Sequence, residues 1–395
     1  MASAVDTGDN AWVMVSGCLV MFMTPGVGFF YGGMVNKKNL LSTIAYCVLV
    51  FIIASITWAL LGFSLAFGNT SSATGYIGDC VYCGLRNMSL TLTSEYSTSI
   101  PLTTFFFFQT MFAAITPAIF IGSVIGRIRI PFLIILTIAF NIIVYSPIAF
   151  WNWNHEGWLF KMGAIDFAGG NVIHIPAGFA GLASAMYLGY GEKKSYKQNS
   201  SSISLTLIGT AILWVGWFGF NGGSALASGQ LAAVAITNSH LAACAAGLSW
   251  ASVQYLVTRQ PSIVGWCCGS ICGLVAITPA AGYVSLWSSL IIGAFGGILS
   301  YLFCHAKAKH FEELADTLDV FGCHGISAMW GGIATGLFAT PDSGNTYSGL
   351  FYGDRRQLGV NVLAIVTSAA YSFCVTWLLY FLLGKIIEAK VSEEE

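Results

Sequence analysis

Two histidines stand inside otherwise apolar stretches, each shortly after an aspartate. The first closes Asp166-Phe167-Ala168-Gly169-Gly170-Asn171-Val172-Ile173-His174, and the second lies in Asp319-Val320-Phe321-Gly322-Cys323-His324-Gly325. An ionisable group at the centre of a membrane span costs about 2.5–3.5 kcal/mol or more, so its presence there points to a substrate path. A neutral imidazole donates one hydrogen bond and accepts another. Two of them can line an apolar conduit and still offer a proton relay. The plainer reading of either one alone is a buried ring satisfied by a neighbouring carbonyl, and recurrence on two helices counts against it. A metal would want a third ligand. No Cys or acid has an obvious claim, so neither a metal nor any other cofactor is expected. Asp166 and Asp319 each directly precede a helix. Each is read as an N-terminal cap or as a direct ligand in the path, and Asp166 as both.

Aromatic residues form the second group. Phe108-Gln109-Thr110-Met111-Phe112 is placed at the start of the third apolar segment, and Trp151-Asn152-Trp153 follows the fourth. Phe218 and Phe220 end the sixth, with Ser224 just beyond. Interfacial Trp and Tyr are ordinary belt residues, which suits Trp151 and Trp158. A cation-binding cup needs aromatic faces and a hydroxyl acceptor, each cation–π contact giving roughly 0.5–2 kcal/mol. Trp153, Phe112 and Ser224 permit one.

The elements that must hold these groups are membrane helices. The chain has 395 residues, 56% hydrophobic and only 8% charged, with a mean hydropathy of +0.75. Soluble domains carry about 25% charge, so the chain belongs in a lipid bilayer. A net charge of −1 gives no electrostatic case for nucleic acid. The N-terminus is short and acidic (Asp6, Asp9). It lacks the basic region of a cleaved leader, so the first apolar stretch is expected to span. Most of the 11 cysteines lie in apolar runs and act as small hydrophobes. Cys80 and Cys83 form a lone CxxC in a loop, open to a local disulfide, to no role, or to metal or redox chemistry.

A span needs about 20 apolar residues. Such stretches centre near Leu19, Val50, Ala114, Ile135, Gly178, Ile212, Gly247, Gly273, Gly293, Gly332 and Ser372. The expectation is an all-α protein of eleven transmembrane helices, with its termini on opposite sides. Alternate loops carry twelve of the Lys and Arg residues, from Lys37 and Lys38 through Lys193, Lys194 and Lys197 to Lys385 and Lys390. The other face carries four, Arg86, Lys161, Arg355 and Arg356. Positive charge marks the cytoplasmic side, which puts the N-terminus outside and the C-terminus inside a plasma or cell membrane. No loop is long enough to be a separate domain.

An internal echo is present. Phe29-Phe30-Tyr31-Gly32-Gly33 resembles Phe218 through Gly223, and the fifth and tenth helices share the Asp-then-His pattern. Five helices followed by five more make an inverted repeat, about 11–190 and 204–338, with a last helix near 357–387. Transporters place their sites between such halves. Chance recurrence of Gly and aromatics in close-packed spans is the alternative.

Several long motifs together resemble the ammonium transporter family (Amt/Mep/Rh), in order over essentially the whole chain. They are Pro25 through Gly33, Asp166 through His174, Gly216-Trp217-Phe218-Gly219-Phe220-Asn221-Gly222-Gly223-Ser224, Ile277-Thr278-Pro279-Ala280 and Asp319 through Gly325. The resemblance implies a homotrimer whose protomers each carry a pore for ammonium or ammonia. It implies that Phe112, Trp153 and Ser224 recruit ammonium at the outer face, that Phe112 and Phe220 form the gate, and that His174 and His324 are the pore pair. Asp166 matches the family's structural and functional aspartate. Three departures stand out. Gly126 precedes Arg127 where the family often has an acid. His240 occupies a seventh-helix stretch expected to be apolar. The chain also ends at Val391-Ser392-Glu393-Glu394-Glu395, where a cytoplasmic segment (the tail begins near 388) usually continues. Some relatives are fused to signalling domains and act as sensors. Three readings follow: an ammonium transporter; a poorly conducting ammonium sensor with a cytoplasmic signalling partner; and an unrelated membrane enzyme using the His pair with metal.

Overall fold

The computed structural model describes residues 5–69, 75–89, 93–189 and 200–391. Lys193, Lys194, Lys197 and the last four residues lie outside them. Among the described residues the chain is helical, apart from a two-stranded hairpin pairing β1 (Thr93–Ser94) with β2 (Ser97–Pro101). The helices are α1 (Thr7–Met34), α2 (Lys37–Phe67), α3 (Leu102–Ser123), α4 (130–153), α5 (170–188), α6 (Ile203–Gly223), α7 (Gln230–Thr258), α8 (Ile263–Ile277), α9 (Leu286–His310), α10 (321–338) and α11 (Arg355–Leu383). A short helix, Trp158–Met162, follows α4. Eight of the helices among the described residues are long and apolar enough to cross a membrane, α4 counted with the segment up to Met162. The other three, α5, α8 and α10, are shorter.

Local sequence sets the helix ends. Asp6 caps α1 by accepting from the Asp9 backbone, and Ser202, Ser262 and Ser285 do the same for α6, α8 and α9. Pro101 lacks a backbone N–H and stands at the N-cap of α3. The helix therefore begins at Leu102, and Phe112 sits in its middle rather than at its start.

Small residues let the helices meet. α1 runs along α6, and Gly209 lies so close that a Cβ there would meet the Phe30 nitrogen at 2.3 Å. α5 crosses the start of α10 at Gly178, where a Cβ would stand 2.5 Å from the Gly325 nitrogen. That crossing, open only to glycine, brings the two histidine-bearing segments together. Large apolar side chains face outward: Leu41, Ile56 and Leu60 of α2 are 75%, 59% and 60% exposed. Buried polar side chains such as Asn141, Asn221, Asn238 and Asn361 lie inside. An apolar exterior around a hydrogen-bonded polar interior is the arrangement a bilayer demands.

The two ends of the bundle differ. One bears the hairpin and the loop in which Cys80 and Cys83 are joined in a disulfide, the pairing the sequence left open. The other bears the Lys- and Arg-rich connections, where Ile128 pairs with Lys390 and Arg129 bonds Glu388 at 2.5 Å. Gly126 has φ of 75°, a left-handed turn that disfavours the acid expected there. The turn sends Arg127 inward. Its buried guanidinium donates to the carbonyls of Ser123, Gly189 and Ala315 and to the Thr317 hydroxyl, tying the ends of α3 and α5 to the approach to α10.

Candidate functional site

At the hairpin end lies an aromatic cup, into which Phe112, Trp153, Ser224, Tyr96 and Asp166 face. Trp153 donates its indole N–H to the Asp166 carbonyl at 3.0 Å, which fixes the ring with its centroid 6.1 Å from that of Phe112. The Ser224 hydroxyl donates to the Phe220 carbonyl at 2.8 Å. Its proton is thereby committed and its oxygen is left to accept. Burial pushes the Tyr96 phenol well above its usual range, with Glu95 adding to it, so this wall stays neutral. The cup offers a cation π faces and one oriented oxygen.

Phe112 and Phe220 close its floor. Their centroids are 4.5 Å apart and both are buried. Beneath Phe220 the His174 ring stacks at 5.7 Å, and Trp217 stacks on the same ring at 5.4 Å. Trp217 is held by its own N–H, which donates to Thr278 Oγ1 at 2.9 Å. His174 and His324 meet with their Nδ1 atoms 3.2 Å apart, within direct hydrogen-bond reach. One ring must then carry its proton on Nδ1 and the other on Nε2. Among the described residues, His174 Nε2 has no partner. It faces a narrow chamber whose walls are largely apolar, among them Val27, Phe30, Ile115, Leu213 and Ile271. The pair, with Tyr31 and Trp217, supplies the polar atoms on its lining.

The backbone around each histidine is built alike. His174 ends a wide, π-helical turn, Gly170–His174, and His324 lies in another, Phe321–Ile326. Such turns are rare and recur at functional sites. Asp166 starts the first one. Its Oδ1 accepts from Gly169 and Gly170 at 2.9 and 2.7 Å, and its Oδ2 from Asn171 and Val172 at 2.8 and 3.2 Å. The second is not capped by Asp319, contrary to the expectation from sequence. Asp316 does this, accepting from Val320 and Phe321 at 3.1 and 2.8 Å. Asp316 stands eight residues before His324, as Asp166 does before His174. Asp319 has φ of 55°, and its carboxylate turns away to Lys307 Nζ at 2.5 Å. The sequence reading paired the nearer acid with each histidine; the common spacing of eight was the signal it passed over. It also assigned nothing to Trp217, Phe30 or Thr278, although all three lie in the motifs it quoted.

His240 takes no part in this path. It lies exposed on α7 against Trp214 and Phe218, with Cys244 Sγ 3.8 Å away. A wider, more open vestibule lies at the basic end, with Cys268, Cys304 and Cys323 on its wall.

The sequence model of the Ammonium Transporter Family matches residues 11–395. The chain belongs to the ammonium transporter family. It is 39% identical to the ammonium transporter of Bacillus subtilis over 98% of this chain and 95% of that protein. It is 40% identical to the ammonium transporter of Aquifex aeolicus, over 99% and 90% of the two chains. The crystal structure of Saccharomyces cerevisiae Mep2 superposes with a TM-score of 0.92 at 32% identity, covering 100% of this chain and 89% of that one. A solved structure of a sensor Amt protein superposes at 0.89 with 27% identity, covering 98% and 96%. Members of this family are transporters rather than enzymes, which sets aside the membrane-enzyme reading.

Proposed function

We propose that this protein moves ammonium nitrogen across a cell membrane by holding NH4+ in the aromatic cup, removing a proton at the Phe112–Phe220 gate and passing NH3 along the chamber beside His174 and His324. The observation that carries the reading is the close-packed Phe pair standing between a cation-suited cup and a largely apolar chamber lined by two hydrogen-bonded imidazoles. An unpaired cation in that chamber is costly, whereas neutral NH3 can donate and accept at the ring nitrogens. Potassium has no proton to leave behind, so the same walls reject it. Uptake of ammonium by vesicles holding the purified protein tests the reading; uptake no faster than in empty vesicles contradicts it.

The finer architecture belongs to this reading. Eleven spans, in two inverted halves of about 11–190 and 204–338 with a final helix near 357–387, account for the matching Asp-to-His spacing and for the α1–α6 pairing. The positive-inside bias puts the hairpin end outside and residue 391 inside. Each protomer of a homotrimer would carry its own pore. An impermeant thiol reagent should label Cys83 in intact cells after mild reduction, and labelling that requires lysis contradicts this orientation. The solved sensor Amt structure keeps a second reading in play: ammonium binding with little conduction, signalled through a cytoplasmic partner.

The cup itself predicts two modest losses. Ser224→Ala removes one hydrogen bond to a charged group, about 1.5–3 kcal/mol. Ammonium binding measured by calorimetry should weaken by roughly one to two orders of magnitude. Trp153→Leu should weaken it less, by about 0.5–2 kcal/mol. Two variants that bind as tightly as the unmodified protein would place recruitment elsewhere.

A further inference from the structure

The vestibule at the basic end presents oxygen atoms that neither the outer cup nor the chamber accounts for. It opens beside the histidine pair, since Cys323, the neighbour of His324, stands on its wall with Trp250, Gln254, Gly265, Tyr301 and Asp319. Tyr301 is only 5% exposed, and its hydroxyl is buried without a partner among the described residues. Gln254 Oε1 is in the same condition. Such unpaired buried atoms are costly and rare, and beside a cavity they ask for a ligand. Both groups are placed by their surroundings. Tyr301 packs against the Trp250 ring, with centroids 5.4 Å apart at 75°, and stacks on the His305 ring at 5.8 Å. Gln254 reaches over α8 where Gly265 leaves room: a Cβ there would stand 2.1 Å from Oε1. Asp319 adds a carboxylate whose side chain is 40% exposed. Its Oδ1 takes the Lys307 ammonium at 2.5 Å, and Lys307 is itself held back on the Asp316 carbonyl at 2.5 Å.

We propose that Tyr301, Gln254 and Asp319 form a second site for a small ammonium cation, filled from the basic side and slowing further passage of NH3 while it is occupied. A cation with several N–H donors needs several acceptors facing one space. The three residues supply a phenol oxygen, an amide oxygen and a carboxylate oxygen, with the Trp250 ring as a wall. Asp319 gives the site its sign, and Lys307 offsets much of that charge, so binding is weak. Weak binding suits an exit, which must release what it holds. The outer cup recruits with π faces and one hydroxyl; this site recruits with a carboxylate. The consequence is self-limitation, because ammonium that accumulates on the basic side returns to the site and obstructs the mouth of the chamber. Binding is independent of the transport reading, whereas the effect on flux rests on it.

The test uses the full chain with the outer cup disabled by Ser224→Ala and Trp153→Leu. Calorimetry should still find a weak ammonium site. Its affinity should fall by roughly one to two orders of magnitude in Tyr301→Phe, which deletes one hydrogen bond to a charged group and keeps the ring. The unfolding temperature without ammonium should hold in that variant, whereas loss of a structural hydroxyl would lower it. Gly265→Ala displaces the flexible end of Gln254 and should weaken the same site. No residual binding, or residual binding unmoved by both variants, overturns the proposal and leaves the unpaired atoms to water. Flux is read separately, in vesicles that hold the protein with its basic end inward. Isotope-labelled ammonium should enter more slowly after preloading with unlabelled ammonium than after preloading with sodium, and Tyr301→Phe should abolish the difference. Equal slowing in both proteins overturns the self-limiting role. Binding that depends on Tyr301 in a protein that admits no ammonium upholds the site and refutes conduction instead.

Discussion

Replacing His174 by Ala should reduce the saturable ammonium-dependent current by more than about tenfold, equivalent to at least 1.4 kcal/mol on the barrier. The ring is walled by Trp217 and Phe220 on one side and hydrogen-bonded to His324 on the other. Truncation removes the imidazole immediately beneath the gate and strands His324 Nδ1 without its partner. Ammonium binding in the cup should change little, since Phe112 and Phe220 separate the two regions. The informative pair of measurements is therefore current in proteoliposomes and calorimetric binding on the same preparation. A variant that conducts like the unmodified protein removes the proton relay from the account.

Loss of the Asp166 carboxylate should be more damaging to the fold. Four backbone N–H groups at the start of α5 depend on it, all in a buried setting. Each buried donor left unpaired costs about 1–3 kcal/mol, and total stability is of order 5–15 kcal/mol. Asp166→Ala should therefore lower the unfolding temperature in detergent by many degrees or prevent recovery of folded protein. Asp316→Ala removes the cap of two donors on the equivalent turn and should destabilise clearly but less. Asp319→Ala gives up an ion pair whose carboxylate is partly exposed, while the buried Lys307 ammonium keeps its bond to the Asp316 carbonyl, and should be the mildest. The order Asp166, Asp316, Asp319 is the checkable result. Asp319→Ala proving worse than Asp316→Ala would return the cap to the acid nearest His324.

Much of this was legible in the sequence, for physical reasons. A bilayer forbids stray charge, so the His residues advertised themselves, and the length of the apolar runs located the helices. The motifs Asp166 through His174 and Gly216 through Ser224 carried the family. What the sequence hid was whatever depends on two segments meeting. The Nδ1–Nδ1 contact needs the Gly178–Gly325 crossing, which no local pattern displays. Trp217 looked like any aromatic in a span until it stacked on His174. Asp316 and Asp319 are both acids before a helix, and only the fold says which carboxylate turns inward and which goes to Lys307. Arg127 counted as loop charge in the sequence, yet it is a buried clamp, and the left-handed Gly126 before it explains why no acid stands there.

The central claim is that the apolar chamber conducts ammonium nitrogen after a proton is removed at the gate. Solid-supported-membrane recording on the unmodified protein, with matched pulses of ammonium, methylammonium and potassium, tests it most directly. The account predicts a current that saturates with ammonium, a smaller one with methylammonium, and none with potassium. Tight ammonium binding by calorimetry with no ammonium current and no uptake would contradict it and leave the sensor reading in its place.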